Sequence, residues 1–123
     1  MRQLGQLEAS VMERLWGADR ALLVREVLEN LQQDRQLAYT TVMTVMDNLH
    51  KKGLLSRERQ GRAYVYRAVQ SREEHTAEMM EAVLGTAGNR TATLLHFVET
   101  ISADEMAELK AAIDQMADHR SGP

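Results

Sequence analysis

Cysteine is absent from this 123-residue chain, which excludes disulfide bridges, thiolate metal sites and a cysteine nucleophile. No apolar run approaches the roughly 20 residues that a membrane span needs. Met1-Arg2-Gln3-Leu4-Gly5 lacks the apolar stretch of a signal peptide, so a soluble, cytoplasmic protein without membrane insertion is expected. There is no glycine-rich phosphate loop and no nucleophile elbow. His50, His75, His96 and His119 are dispersed with no i, i+4 pair, which gives a metal site little basis. Ser10, Ser56 and Ser71 have no base nearby in sequence, and Glu73, Glu74, Glu78 and Glu81 read as a solvated acidic face. Catalysis, a cofactor and a metal are therefore not expected. Internal repeats and low-complexity tracts are also missing.

What is present suffices for a core. The chain is 44% hydrophobic and 27% charged, in the range of one folded domain or a small domain with an appendage. Its net charge of −3 conceals an asymmetry. Residues 1–70 carry eleven Lys/Arg against eight Asp/Glu, whereas residues 71–123 carry four against ten. Between His50 and Gln70, Lys51, Lys52, Arg57, Arg59, Arg62 and Arg67 face only Glu58. Such a segment can bind a polyanion, because the local field sets the contact. A merely solvated charged face is the other reading of it.

Hydrophobic periodicity places these charges. Leu4, Leu7, Val11, Met12 and Leu15 recur at helical spacing and predict a helix from about Gln6 to Trp16, ended by Gly17-Ala18-Asp19. Val24, Val27, Leu28 and Leu31 predict a second helix, closing in Gln32-Gln33-Asp34-Arg35-Gln36. Val42, Val45, Met46 and Leu49 predict a third from about Tyr39 to Lys52, with Gly53 as a left-handed stop after two cations. Its β-branched content makes a strand a competitor there; the i, i+3, i+4, i+7 pattern decides for helix. Leu54–Arg59 and Ala63–Val69 then read as two strands joined by Gln60-Gly61-Arg62. From Ser71 the chain is helical again. The capping boxes Ser71-Arg72-Glu73-Glu74 and Ser102-Ala103-Asp104-Glu105 start helices over about 72–84 and 103–117, and Asn89 caps one between them. The tail Arg120-Ser121-Gly122-Pro123 reads as frayed.

Three helices followed by a basic hairpin describe a mainly α fold with a small β-hairpin wing. The expected architecture is an N-terminal winged helix-turn-helix over 1–70 and a C-terminal three-helix dimerisation domain over 71–123. The third helix would enter the major groove of duplex DNA. Thr40, Thr41, Met43, Thr44 and Asn48, opposite its apolar stripe and following Tyr39 at its start, would meet base edges. Lys51, Lys52 and the wing arginines, with Arg62 at the wing tip, would hold phosphates. With no arginine facing out from mid-helix, a single module should bind weakly.

Leu15-Trp16, Arg25-Glu26-Val27, Tyr39-Thr40-Thr41-Val42-Met43-Thr44, Lys51-Lys52-Gly53-Leu54 and Gly61-Arg62-Ala63-Tyr64-Val65-Tyr66 together resemble the BlaI/MecI family of bacterial transcriptional repressors. The resemblance is nearly full length and includes Phe97-Val98-Glu99 and Ser102–Lys110. It implies a repressor that binds dyad-symmetric operators as a homodimer. By position the family's base-reading residues fall on Thr40, Thr41, Met43, Thr44 and Asn48, and its wing tip on Arg62; Asn48 stands where relatives often carry Arg. Relatives are inactivated when a membrane-bound antibiotic sensor triggers cleavage of an Asn-Phe bond in the dimerisation domain. Here that bond aligns with His96-Phe97, so His replaces Asn. Phe97 as a simple core anchor is the other reading.

The C-terminal half carries apolar stripes too large for three short helices to bury alone: Met79, Met80, Val83 and Leu84; Leu94, Leu95, Phe97, Val98 and Ile101; Met106, Leu109, Ile113 and Met116. Pairing with a second copy covers them, and two-fold symmetry is the commonest arrangement. Packing back on the winged helix in a monomer is the competitor. Two other functions remain open. One is a winged-helix repressor relieved by a small molecule among the methionines; the other is a helical protein–protein adaptor with an incidental basic wing. A related copper-responsive branch uses a cysteine pair, which this chain lacks.

Overall fold

The computed structural model describes residues 4–33 and 36–121. Met1-Arg2-Gln3, Asp34, Arg35, Gly122 and Pro123 lie outside the described residues. Among the described residues the chain forms six helices and three strands. In chain order they are α1 (Gln6–Trp16), β1 (Leu22–Leu23), α2 (Val24–Leu31), α3 (Tyr39–Lys51), β2 (Leu55–Gln60), β3 (Ala63–Ala68), α4 (Arg72–Leu84), α5 (Arg90–Val98) and α6 (Ala103–Ser121). The chain divides into two compact units, Met1–Met80 and Glu81–Pro123.

In the first unit each of three helices turns one stripe inward. Val11, Met12 and Leu15 meet Val24, Val27 and Leu31, and Val42, Met46 and Leu49; Leu22, Leu55 and Tyr66 of the sheet close the core. Leu28 and Val45, expected in the stripes, are only partly buried. The third helix forms despite its threonines and valines, because Val42, Met46 and Leu49 recur at the helical period and bury fully.

Gly53 ends α3 with φ at +84°, a conformation that costs glycine no Cβ clash. Its N–H donates to the His50 carbonyl at 3.0 Å, and the Leu54 N–H donates to the Leu49 carbonyl at 3.0 Å. That pair of bonds is a Schellman cap. The hairpin turns at Gly61-Arg62, between the paired residues Gln60 and Ala63. Its left-handed Gly61, at φ +67°, matches a type II′ turn.

The sheet has one strand more than the sequence suggests. Leu22–Leu23 pairs antiparallel with Tyr66 and Val65, giving the order β1-β3-β2. Two residues are too few for an alternation signal, and β1 exists because β3 offers it an edge. It runs directly into α2, where the Glu26 carboxylate accepts the Leu23 N–H at 2.8 Å and Arg20 at 2.5 Å. Arg20 first, and then the Leu23 N–H, hold the Glu26 carboxyl below its usual range.

Ser71 and Glu74 cap α4 reciprocally, at 3.0 and 2.9 Å. The expected domain boundary after Gln70 thus coincides with a helix start, but the first compact unit continues to Met80. The reason is local packing. The Trp16 indole N–H donates to the Gln70 carbonyl at 3.0 Å, Arg72 pairs with Glu13, and the buried His75 ring lies 5.4 Å from that of Trp16. Met79, expected on the dimerisation stripe, here lines a groove with Leu4, Trp16 and His75.

In the second unit, Asn89 caps α5 by accepting the Ala92 N–H at 2.9 Å, and Ser102 caps α6 by accepting the Glu105 N–H at 3.1 Å. Arg90 pairs with Glu81 at 2.6 Å. Helix α6 runs to Ser121, past the expected end near 117, because no breaker precedes Gly122. Arg120 and Ser121 are therefore helical rather than frayed. Among the described residues no hydrophobic side chain of this unit is buried. Val83, Leu94, Leu95, Phe97, Leu109, Ile113 and Met116 are exposed, as is Met80 in the first unit; Leu84, Val98, Ile101 and Met106 are half-buried. Phe97 is thus no core anchor within the chain. No helix among the described residues is long and apolar enough to cross a membrane.

Candidate nucleic-acid interface

Helix α3 presents two unlike faces. Val42, Met46 and Leu49 are sealed in the core, while Tyr39, Thr40, Thr41, Met43, Thr44 and Asn48 are exposed. The six form one surface because their spacing follows the same helical turn as the buried stripe. Tyr39 and Met43 also border a groove shared with Arg25 at the start of α2 and with Arg62 and Tyr64 of the hairpin. Spacing and charge do not distinguish Arg25 and Tyr64; the packing of α2 and β3 around the start of α3 brings them there.

The hairpin reaches this surface along one sheet face. Opposite one another on it stand Leu55 and Ala68, then Arg57 and Tyr66, then Arg59 and Tyr64. Leu55 and Tyr66 are core residues, Tyr66 being 3% exposed, whereas Tyr64 is 36% exposed. The face is therefore buried at the root of the hairpin and emerges as an arginine–tyrosine ladder towards its tip. This settles the Tyr64/Tyr66 strand, whose buried face alternation alone leaves undecided. The guanidiniums of Arg57 and Arg59 lie 4.2 and 5.5 Å from the Tyr64 ring centre.

The cations differ in how committed they are. Lys51, 71% exposed, pairs with Asp47 at 3.0 Å. Lys52, 34% exposed, pairs with Glu8 of α1 at 2.5 Å. Arg57 reaches Asp47 at 3.1 Å and the Tyr66 hydroxyl at 3.3 Å. Lys51 first, and then Arg57, hold the Asp47 carboxyl below its ordinary range. Arg62 and Arg67 are exposed and make no ion pair among the described residues. Also among the described residues, no three His, Asp or Glu side chains are grouped to hold a metal ion.

A three-helix core closed by a three-stranded antiparallel sheet, with the β2–β3 hairpin standing beside an exposed third helix, defines a winged helix-turn-helix protein. Comparison with known proteins narrows the class. The family profile described as penicillinase repressor matches residues 4–115. Over 127 aligned residues the chain is 42% identical to the transcriptional regulator BlaI of Mycobacterium tuberculosis, covering all of this chain and 92% of that one. The chain belongs to the penicillinase repressor family and is a BlaI-like transcriptional regulator. Solved structures agree. The DNA-binding domain of the repressor BlaI is 26% identical, with a TM-score of 0.52 over 58% of this chain and 87% of that one. The monomeric form of Bacillus licheniformis BlaI in complex with the blaP half-operator is 26% identical, with a TM-score of 0.50 over 59% of this chain and 88% of that one.

Proposed function

We propose that this chain is a repressor that binds a dyad-symmetric DNA operator as a homodimer, and that an inducing signal acting on the second unit releases it. The observation that carries the reading is the exposed face of α3, Thr40, Thr41, Met43, Thr44 and Asn48, standing beside a wing whose exposed Arg62 and Arg67 make no ion pair among the described residues. Its likeness to the BlaI half-operator complex supports the same orientation. The threonine hydroxyls and the methyl groups of Thr and Met meet base edges in the major groove. Tyr39, Lys51, Lys52 and Arg62 meet the backbone and set the register.

Dimerisation is supported by the apolar side chains that the second unit leaves uncovered. A second copy covers them by two-fold symmetry, which matches two half-sites of an operator. It also makes the second binding event intramolecular, so two weak modules bind tightly. Release then needs only the loss of the pair. The His96–Phe97 bond lies in the last turn of α5, with His96 and Phe97 both exposed, and cutting there would divide the unit that holds the dimer. The protease in this scheme answers to a membrane sensor.

Fluorescence anisotropy tests the reading directly, with DNA from upstream of the protein's own gene and a scrambled duplex at two salt concentrations. Tight binding to the first duplex, falling steeply with salt, is expected. Equal weak binding to both would mean that the upstream DNA is not the operator or that binding is nonspecific, and no binding at low salt would leave the adaptor.

A further inference from the structure

Asp47 is a carboxylate at the edge of a surface proposed to face phosphates, and it lies in the half of α3 where the helix dipole disfavours negative charge. Its contacts supply a reason for it. One oxygen lies 3.0 Å from Lys51 Nζ and the other 3.1 Å from Arg57 Nη1. The same Nη1 donates to the Tyr66 hydroxyl at 3.3 Å, and the Arg57 guanidinium covers the Tyr64 ring at 4.2 Å. Groups from α3, β2 and β3 therefore converge at the root of the wing, and one of them, Tyr66, is fixed in the core.

The wing needs such a fixing point. Among the described residues strand β1 pairs only with Val65 and Tyr66, so beyond them the hairpin is a two-stranded ribbon. An isolated ribbon of that kind is marginal in water. Arg59, Gln60, Ala63 and Tyr64 along it are all exposed. Its direction is set by the last contacts at its root, and these are the contacts of Arg57.

We propose that Asp47 and Arg57 form a clamp that sets the angle of the wing against α3. Arg57, although part of the basic segment, is then a positioning residue and not a phosphate ligand. This rests on the DNA-binding reading above. The planar guanidinium is required, because one fork meets a carboxylate and a hydroxyl while its face lies on a ring; the point charge of lysine cannot do all three.

The proposal reverses the ordinary expectation for charge. Were Asp47 a bystander, Asp47→Asn would remove a repulsion, free Lys51 and Arg57 for phosphate, tighten binding and steepen its salt dependence. The clamp predicts weaker operator binding by D47N and by R57K, each on the order of fivefold or more. The double variant D47N/R57K should be no weaker than the weaker single one. Hydrogen exchange of the full chain without DNA should be faster at the hairpin amides in both single variants and unchanged in α1–α3. Tighter binding by D47N, wild-type affinity in R57K, or unchanged hairpin exchange would each overturn the clamp. A wild type that binds no duplex would overturn the DNA role instead, while faster hairpin exchange in the variants would still establish the contact that holds the wing.

Discussion

Gly53 joins the third helix to the wing, and its replacement by alanine tests whether that joint is as specific as it looks. Its φ of +84° is left-handed, and a Cβ built there meets nothing within 4 Å. The cost of Gly53→Ala is therefore one of backbone conformation alone. An L-residue pays roughly 1–2 kcal/mol in that region. A less flexible unfolded chain returns about 0.4–1 kcal/mol. The net is a destabilisation of about 1 kcal/mol, which lowers Tm by about 4–8 °C in a domain of this size. Gly53→Asn should lose less, since Asn tolerates the left-handed region. Gly88→Ala is the control: its Cβ also enters open space, its φ is not left-handed, and only the unfolded-state gain applies. Thermal melts of the full chain followed by circular dichroism should rank Gly88→Ala at or above wild type, then Gly53→Asn, then Gly53→Ala. A Gly53→Ala protein as stable as wild type would refute a left-handed cap at this joint.

Lys51→Gln should lower the slope of log K against log salt by about 0.9, the yield of one phosphate contact. Lys52→Gln should lower it less, because Lys52, held by Glu8 of α1 at 2.5 Å, is 34% exposed, whereas Lys51, whose own pair with Asp47 lies within one helix, is 71% exposed; equal losses would show that the Glu8 contact does not matter in the complex. Ile113→Asp places a charge on an exposed apolar stripe and should shift the protein to monomer in sedimentation equilibrium, with half-site binding retained and full-operator binding weakened; an unchanged mass would remove Ile113 from the interface. Glu26 has a depressed pKa in the folded state, so its contribution is present above the ordinary glutamate range near pH 4.3 and is lost as pH falls through the folded value. Glu26→Gln should therefore melt lower at neutral pH and show a shallower loss on acidification, and parallel acid profiles for the two proteins would argue against the Arg20–Glu26 contact.

Much of the first unit is legible in the residues themselves. The stripes Val11-Met12-Leu15 and Val42-Met46-Leu49 repeat at the helical period, and Gly53 and Gly61 punctuate the chain where the backbone turns left-handed. Ser71, Asn89 and Ser102 mark helix starts because a side-chain oxygen satisfies a free N–H at once, within three residues. The exposed face of α3 follows from the same period as its buried face. These are local rules, and local rules can be read in order along a chain.

What tertiary structure alone decided involves partners far apart in sequence. Leu22–Leu23 is a strand only because β3 lies beside it. Tyr66 is buried and Tyr64 is not because the core ends between them, although both share one sheet face. Lys52 looks equivalent to Lys51 until α1 brings Glu8 to it across 44 positions. Arg57 looks like one more wing cation until α3 presents Asp47 and β3 presents Tyr66. The first unit extends past Ser71 because Trp16, 54 positions before Gln70, holds the start of α4. Periodicity specifies which face of an element is apolar, and charge specifies what a segment attracts. Which side chain meets which is settled only when the elements pack, because that packing chooses among contacts that the sequence leaves equivalent.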